Sequence, residues 1–271
     1  MNESIYATLR QVTDLNECFF YHTMEIPGYG LVKGEWDLRG RVRQYLGEVD
    51  FQNKRVLEVG TADGFLCFQM ESQGAQVVAY DLSDRQAWDM VPYAADNIQQ
   101  LEAERKGKIK KINNAFWLSH RAFHSQARMV YGTVYEVPPV VGPVDISTFG
   151  AVLLHVRDPF LALQNVLRLT RETVIITEPL WKQRLPQRIL AQFHTRLTRG
   201  RHIVFLPDFQ RREPKDGWWM LSPEIIRQFI GVLGFEKTRI IYHSQNLEAL
   251  GERNLVPFYT IVGSRTIALS A

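Results

Sequence analysis

The spacing of apolar and polar residues changes several times along the chain, and each change marks an element. The run Arg55-Val56-Leu57-Glu58-Val59 is almost continuously apolar and halts at Gly60, which predicts a buried strand and then a turn. A helix is expected after Gly64, and a second buried strand over Val77-Val78-Ala79-Tyr80-Asp81 ends in an acid. Residues 127–135 read as a third strand, and residues 237–242 with 258–262 as an antiparallel pair that closes the sheet. Ahead of the first strand, Ile5, Leu9, Val12 and Leu15 recur near helical spacing and predict an amphipathic helix over residues 3–18, packed as a cap. A turn-rich loop at Pro27-Gly28-Tyr29-Gly30 follows, then a short helix over residues 42–46 that Gly47 ends. Residues 82–128 form a long, partly helical connection. Its charged stretch, 102–111, reads as a solvated helix face, with a nucleic-acid contact as the costlier alternative. Past Pro179, Arg and Lys mix with helical spacings at Ile189, Phe193 and Leu197, and a proline-bounded polar loop covers 207–217. Ser222 then caps a helix over residues 224–233, with Pro223 at its first position and Gly234 at its end.

The strand, glycine turn, helix and acid-ended strand over residues 55–81 build half of a nucleoside site. Glycine lets backbone approach a ligand where a Cβ would clash, and an acid about 20 residues on can take both ribose hydroxyls. A dinucleotide fingerprint needs a second glycine to admit pyrophosphate, and here Ala62 stands in that place. Glu58, two residues before Gly60, would repel phosphate and attract an ammonium or sulfonium. The site therefore favours a cationic nucleoside.

Composition narrows the picture further. The chain has 271 residues with 45% hydrophobic content, enough for a large core, and a formal net charge of +3 that permits an anionic or RNA substrate without requiring one. Two cysteines, Cys18 and Cys67, imply no disulfide framework, and neither Cys-x-x-Cys nor His-Glu-x-x-His occurs, so no metal is expected. No run of 18 apolar residues and no cationic leader are seen, which predicts a soluble, cytoplasmic protein without membrane contact. Nothing fixes the oligomeric state.

The motif from Glu58 to Gly64 resembles that of the class I S-adenosylmethionine-dependent methyltransferases. The resemblance extends to Val144–Pro159, similar to that superfamily's fourth strand and its L-x-H-x-x-D-P segment, and to Thr173–Pro179, similar to its fifth strand. It implies an α/β fold: a Rossmann-like, seven-stranded, mostly parallel sheet with helices on both faces, an N-terminal helical cap and a lid insertion after strand five. The domain boundaries would be a cap and loop at 1–50 and a methyltransferase domain at 51–271, with the insertion at about 181–217. Trp36-Asp37-x-Arg39, Phe65 and Gly74-Ala75 further resemble the tRNA wobble-uridine carboxymethyltransferases and their bacterial relatives. Three partners that family uses for a carboxylated donor are missing: Glu35 precedes Trp36, Leu154 precedes His155, and no lysine stands before Lys33. Transfer of an ordinary methyl group is expected.

The resemblance implies S-adenosylmethionine as donor and S-adenosylhomocysteine as product, held by Gly60, Thr61 and Gly64 along the methionyl part and by Glu58 at its amino group. Asp81 would take the ribose, Leu82, Thr133 and Val134 the adenine, and Phe149 with Gly150 would wall the methyl. Arg39 would pair with either the methionyl carboxylate or Asp37. Methyl transfer is an in-line displacement, so a base is needed only where the acceptor must lose a proton, and His155 and His22 are the candidates. Tyr21, Arg211, Arg212, Trp218 and Trp219 would contact a small, partly apolar acceptor, neutral or anionic. The same mixture of arginine and aromatics would serve an RNA acceptor, and a non-catalytic nucleoside-binding scaffold is the third reading.

Overall fold

The computed structural model describes residues 5–180, 200–249 and 252–268. In chain order the strands are β1 (Met24–Ile26), β2 (Gly30–Val32), β3 (Trp36–Asp37), β4 (Arg55–Val59), β5 (Gln76–Asp81), β6 (Arg128–Tyr131), β7 (Val144–Gly150), β8 (Thr170–Pro179), β9 (Ile203–Phe205), β10 (Trp219–Leu221), β11 (Lys237–Ala249) and β12 (Glu252–Ser264). The described helices are α1 (Val42–Tyr45), α2 (Phe65–Glu71), α3 (Ile98–Ala122), α4 (Pro159–Leu167) and α5 (Pro223–Val232).

Eight strands form the central sheet in the order β3-β11-β12-β8-β7-β4-β5-β6. The five from β8 to β6 run parallel, while β12 lies antiparallel to both β8 and β11. This is the expected Rossmann-like α/β fold with one strand more than seven, because the two-residue β3 adds to the β11 edge. Parallel strands must be buried on both sides, and two core clusters do this. Phe65, Phe68, Phe116 and Trp117 of α2 and α3 cover one face with Met24, Ile26 and Leu38 of the N-terminal segment. Leu163 and Val166 of α4 and Ile226 and Ile230 of α5 cover the other. Both α4 and α5 begin on a side-chain cap followed by proline: Asp158 Oδ1 accepts the Leu161 N–H at 2.9 Å and Ser222 Oγ the Ile225 N–H at 3.3 Å.

Several elements depart from the expectations. The N-terminal segment is not a helical cap: from residue 5 to 18 only Leu15–Glu17 is helical, a single 3₁₀ turn. The apolar spacing misleads there because the residues do not share a face. Val12 is buried while Leu9 is 70% exposed, and the Ala7 N–H donates to the Met129 carbonyl at 2.8 Å, tying the segment to β6. The turn-rich stretch from Pro27 is the tip of a β-hairpin that spans residues 24–32. The third strand stops at Tyr131, and the closing hairpin strands are each 13 residues long, well beyond the expected bounds. Of the expected insertion, residues 181–199 lie outside the described residues. The remainder pairs β9 with β10 and ties back to the connection after β5, where the Val91 N–H donates to the Lys215 carbonyl at 2.8 Å and Lys215 Nζ meets Asp96 at 2.6 Å.

Candidate active site

The parallel strands end on one side of the sheet, where open α/β sheets take their ligands, and a cavity of about 470 Å³ opens there. The strand order divides its wall. Gly60, Ala62, Asp81, Leu82, Thr133 and Val134, from the ends of β4, β5 and β6, line one half; Glu35, Trp36, Tyr45, Leu247 and Phe258, near the opposite edge, line the other. Gly150 at the end of β7, with Tyr21, His22 and His155, also lines it. No lysine or arginine among the described residues lines it.

The glycine turn is held by carboxylates. Gly60 and Gly64 are left-handed, and so is Ala62, at φ 50°. Asp81 fixes the turn from the neighbouring strand: one oxygen accepts the Ala62 N–H and the other the Leu82 N–H, both at 2.7 Å. Each oxygen keeps a further lone pair for a ligand. Burial raises the Asp81 carboxyl to about 6, against the lowering effect of those two amides, and the nearby Asp63 adds to the rise. Glu58 lies beneath the turn, 2% exposed, with Oε2 accepting the Thr61 hydroxyl at 2.5 Å and Oε1 partnerless among the described residues. Burial lifts it to about 8, and Glu178, which accepts the Leu153 N–H at 2.8 Å, is lifted to about 8 for the same reason.

Asp63 is a site residue that the sequence reading missed. It is fully buried in the glycine turn, where Oδ2 accepts the His22 backbone N–H at 2.6 Å and Oδ1 meets His22 Nδ1 at 2.7 Å. The His22 ring stacks on Phe65 with centroids 5.4 Å apart. His155 also lines the cavity, and its Nδ1 contacts the Asp216 backbone carbonyl. An acid between Ala62 and Gly64 was the available signal for Asp63; nothing local pointed to its partner 41 residues earlier. Trp88 and Asp89 of the connection after β5, and Ile109, Ile112 and Asn113 of α3, are further wall residues that the expectations left out.

Other expected site residues stand elsewhere. Arg39 forms a two-point pair with Asp37, Nε to Oδ1 and Nη2 to Oδ2, both at 2.9 Å, and is not on the wall. Strand alternation turns the Phe149 side chain into the core, leaving Gly150 at the cavity. Thr61 and Gly64 lie behind the wall, Thr61 buried against Glu58 and Gly64 at the start of α2. Trp218 is buried away from the cavity, its Nε1 donating to the Asp89 carbonyl at 2.6 Å, and Trp219 Nε1 donates to the Arg157 carbonyl at 3.0 Å. Arg211 is 84% exposed beside Asp208, and Arg212 is exposed too, so neither reaches an acceptor in the cavity. Replacing both arginines with alanine should leave donor and acceptor affinities within about twofold, since surface changes of this kind stay within about 0.5 kcal/mol; calorimetry on the double variant checks this. His243 is half-buried behind the wall, stacked on Phe258 and bonded to Thr260 at 2.9 Å, and burial lowers it to about 4.

Among the described residues no three His, Cys, Asp or Glu side chains form a metal-binding group, and no helix is long and apolar enough to cross a membrane. Cys18 and Cys67 are free.

The fold and the family match together give the class, a class I, S-adenosylmethionine-dependent methyltransferase. Residues 34–231 match the methyltransferase-domain family, and the chain belongs to it. No curated protein matches it in sequence. Among solved structures it is similar to the N-terminal domain of EvdMO1 in the presence of S-adenosylhomocysteine and D-fucose, at 17% identity over 91% of each chain with a TM-score of 0.54. The same domain with S-adenosylhomocysteine bound gives 15% identity over 91% of each chain and a TM-score of 0.51. Magnesium protoporphyrin IX methyltransferase from Synechocystis PCC 6803 with S-adenosylhomocysteine bound gives 12% identity over 84% of this chain and 82% of that one, with a TM-score of 0.47. The EvdMO1 likeness is one of fold. Neither the family match nor the EvdMO1 likeness supports the resemblance to the tRNA wobble-uridine carboxymethyltransferases.

Proposed function

We propose that this protein methylates an oxygen or nitrogen of a small, uncharged, largely apolar acceptor, of the kind met in natural-product or other secondary metabolism. The observation that carries this is the make-up of the wall: aromatic and aliphatic side chains around the Asp81 carboxyl, with Glu58 buried beneath the turn, and no lysine or arginine among the described residues that line it. An RNA site needs cations against phosphate, and an anionic acceptor needs at least one. The wall suits a sulfonium nucleoside for the same reason.

In this reading Asp81 accepts from the ribose hydroxyls, Leu82, Thr133 and Val134 flank the adenine, and Gly60 and Gly150 give the backbone room beside the sulfur. The bound donor supplies an electrophilic methyl, and the chain's work is to align the acceptor with it and keep water out. Glu58 and Glu178 sit beneath the floor as carboxyls that burial holds protonated near neutral pH. A cation above them favours their charged forms, so donor binding releases protons and tightens as pH rises towards about 8.

Calorimetry on the purified protein tests the reading, with buffers of differing ionisation enthalpy to count protons. S-adenosylmethionine and S-adenosylhomocysteine should bind at micromolar affinity and NAD should not, with more protons released by the sulfonium than by the neutral product. Absence of binding by both sulfur nucleosides would leave only the scaffold reading. Binding of bulk tRNA that weakens steeply with salt would move the acceptor to RNA.

A further inference from the structure

Two histidines line the cavity, and their partners differ in kind. His155 Nδ1 meets a neutral carbonyl, which fixes a tautomer and does little more. His22 meets a buried carboxylate that holds it at two points, backbone N–H and ring Nδ1. A carboxylate on Nδ1 keeps the proton there, points Nε2 as the free acceptor, and stabilises the imidazolium that forms once Nε2 takes a proton. The ring is further fixed by its stacking on Phe65 and by backbone pairing on either side: the Trp36 N–H donates to the Tyr21 carbonyl at 2.8 Å and the Thr23 N–H to the Trp36 carbonyl at 2.7 Å.

What His22 faces is equally specific. Its strand neighbour Trp36 meets the Phe258 ring edge-on at 5.4 Å, and Phe258 meets Tyr45 at 5.8 Å. Tyr45, Phe258, Pro179 and Leu247 complete an apolar chamber beside His22. The Tyr45 hydroxyl has no hydrogen-bond partner among the described residues, and it lies 3.2 Å from where a Cβ on Gly150 would stand. Such walls take a flat ring. Ring faces and edges pack against one another at these separations, and a buried ring hydroxyl requires a polar partner. The other charged and titratable groups near His22 include Tyr21, Glu35 with Lys108 of α3 at 3.6 Å from it, Arg105 of α3 paired with Asp216 at 3.0 Å, and Asp81 across the cavity.

We propose that the acceptor is an aromatic hydroxyl compound and that His22, oriented by Asp63, is the base that takes its proton. The inference rests on the methyltransferase reading above. In the step, the acceptor O–H bond breaks and its proton passes to His22 Nε2. The oxygen lone pair forms the new O–CH₃ bond as the S–CH₃ bond breaks, and that pair stays on sulfur to give the neutral thioether; His22 later returns the proton to solvent. Asp63 is a positioning residue that acts only through the ring.

The test uses 4-nitrophenol, whose absorbance reports its ionisation, with the full-length protein saturated with S-adenosylhomocysteine. The wild type should bind it and lower its ionisation midpoint by about one unit relative to His22→Gln, as an imidazolium within contact distance does. Asp63→Asn should lose most of that shift. S-adenosylhomocysteine affinity, measured first on all three proteins, reports folding and the donor site independently, so its absence in the wild type would fail the methyltransferase reading and not this one. With that affinity intact, failure of the wild type to bind 4-nitrophenol, binding of 4-nitroaniline in its place, or equal midpoints in wild type and His22→Gln would overturn the proposal.

Discussion

Replacing Asp81 with alanine is expected to weaken S-adenosylmethionine binding about a hundredfold. Its two oxygens already accept the Ala62 and Leu82 amides and have one lone-pair direction each to spare, so a ribose would find two charge-assisted acceptors at once. Hydrogen bonds to a charged group contribute about 1.5–3 kcal/mol each, and two at the low end amount to about a hundredfold in affinity at roughly 1.4 kcal/mol per decade. Asp81→Asn, which keeps the shape and one acceptor, should lose about tenfold. The pH dependence gives a second readout. Burial holds this carboxyl at about 6, and ribose donors favour its charged form, so the pKa falls on binding and a proton is released. On account of this group affinity should rise with pH up to and through about 6, below the further rise that Glu58 and Glu178 carry towards about 8, and Asp81→Asn should lose the lower part of that rise. Calorimetry at pH values on either side of 6 measures both effects. An unchanged affinity in Asp81→Ala, with the fold intact, would remove this residue from the donor site.

The parts of the site that were legible in the sequence are those built by contiguous residues. Strand β4, its turn and β5 bring Gly60 and Asp81 together through local pattern alone, because adjacent parallel strands joined by a helix must end side by side. The capped starts of α4 and α5 could be read for the same reason, since the cap and the proline lie next to each other in the chain. The wall contributed by the N-terminal segment could not. His22 reaches Asp63 only because β3 pairs with β11 and residues 21–23 run beside Trp36, and neither pairing leaves a periodic mark in a two-residue strand. Arg39 shows the converse: both partners offered to it were chemically sound, and the shorter reach, two residues to Asp37, prevailed. Trp218 misled because an aromatic near a predicted lid reads the same whether it faces a ligand or, as here, holds the Asp89 and Leu154 backbones from behind.

A large loss of stability is expected of Gly64→Ala. Gly64 sits at φ +87°, and a Cβ there would stand 2.6 Å from the Phe68 ring and 2.9 Å from Phe116, both fixed in the core. Left-handed backbone costs an alanine about 1–2 kcal/mol, and forcing atoms into a packed core adds about 1–3 kcal/mol. A loss of about 3 kcal/mol should lower Tm by roughly 6–12 °C in a chain of this size, and donor affinity should fall with it as α2 moves against the turn. Ala62→Gly probes the same turn in the opposite direction. Ala62 is the residue that departs from the glycine-rich pattern, yet it adopts φ 50° as a glycine there would, held by the Asp81 carboxylate on its amide. Glycine relieves the backbone strain and gives back part of the gain through a freer unfolded chain, so a net stabilisation of about 0.5–1 kcal/mol is expected. Thermal melts of the two variants, with and without S-adenosylhomocysteine, separate the contributions. A Gly64→Ala protein that melts with the wild type would mean that the turn relaxes without its left-handed residue. An Ala62→Gly protein that is less stable would mean that the packing of the methyl group outweighs the backbone strain it imposes.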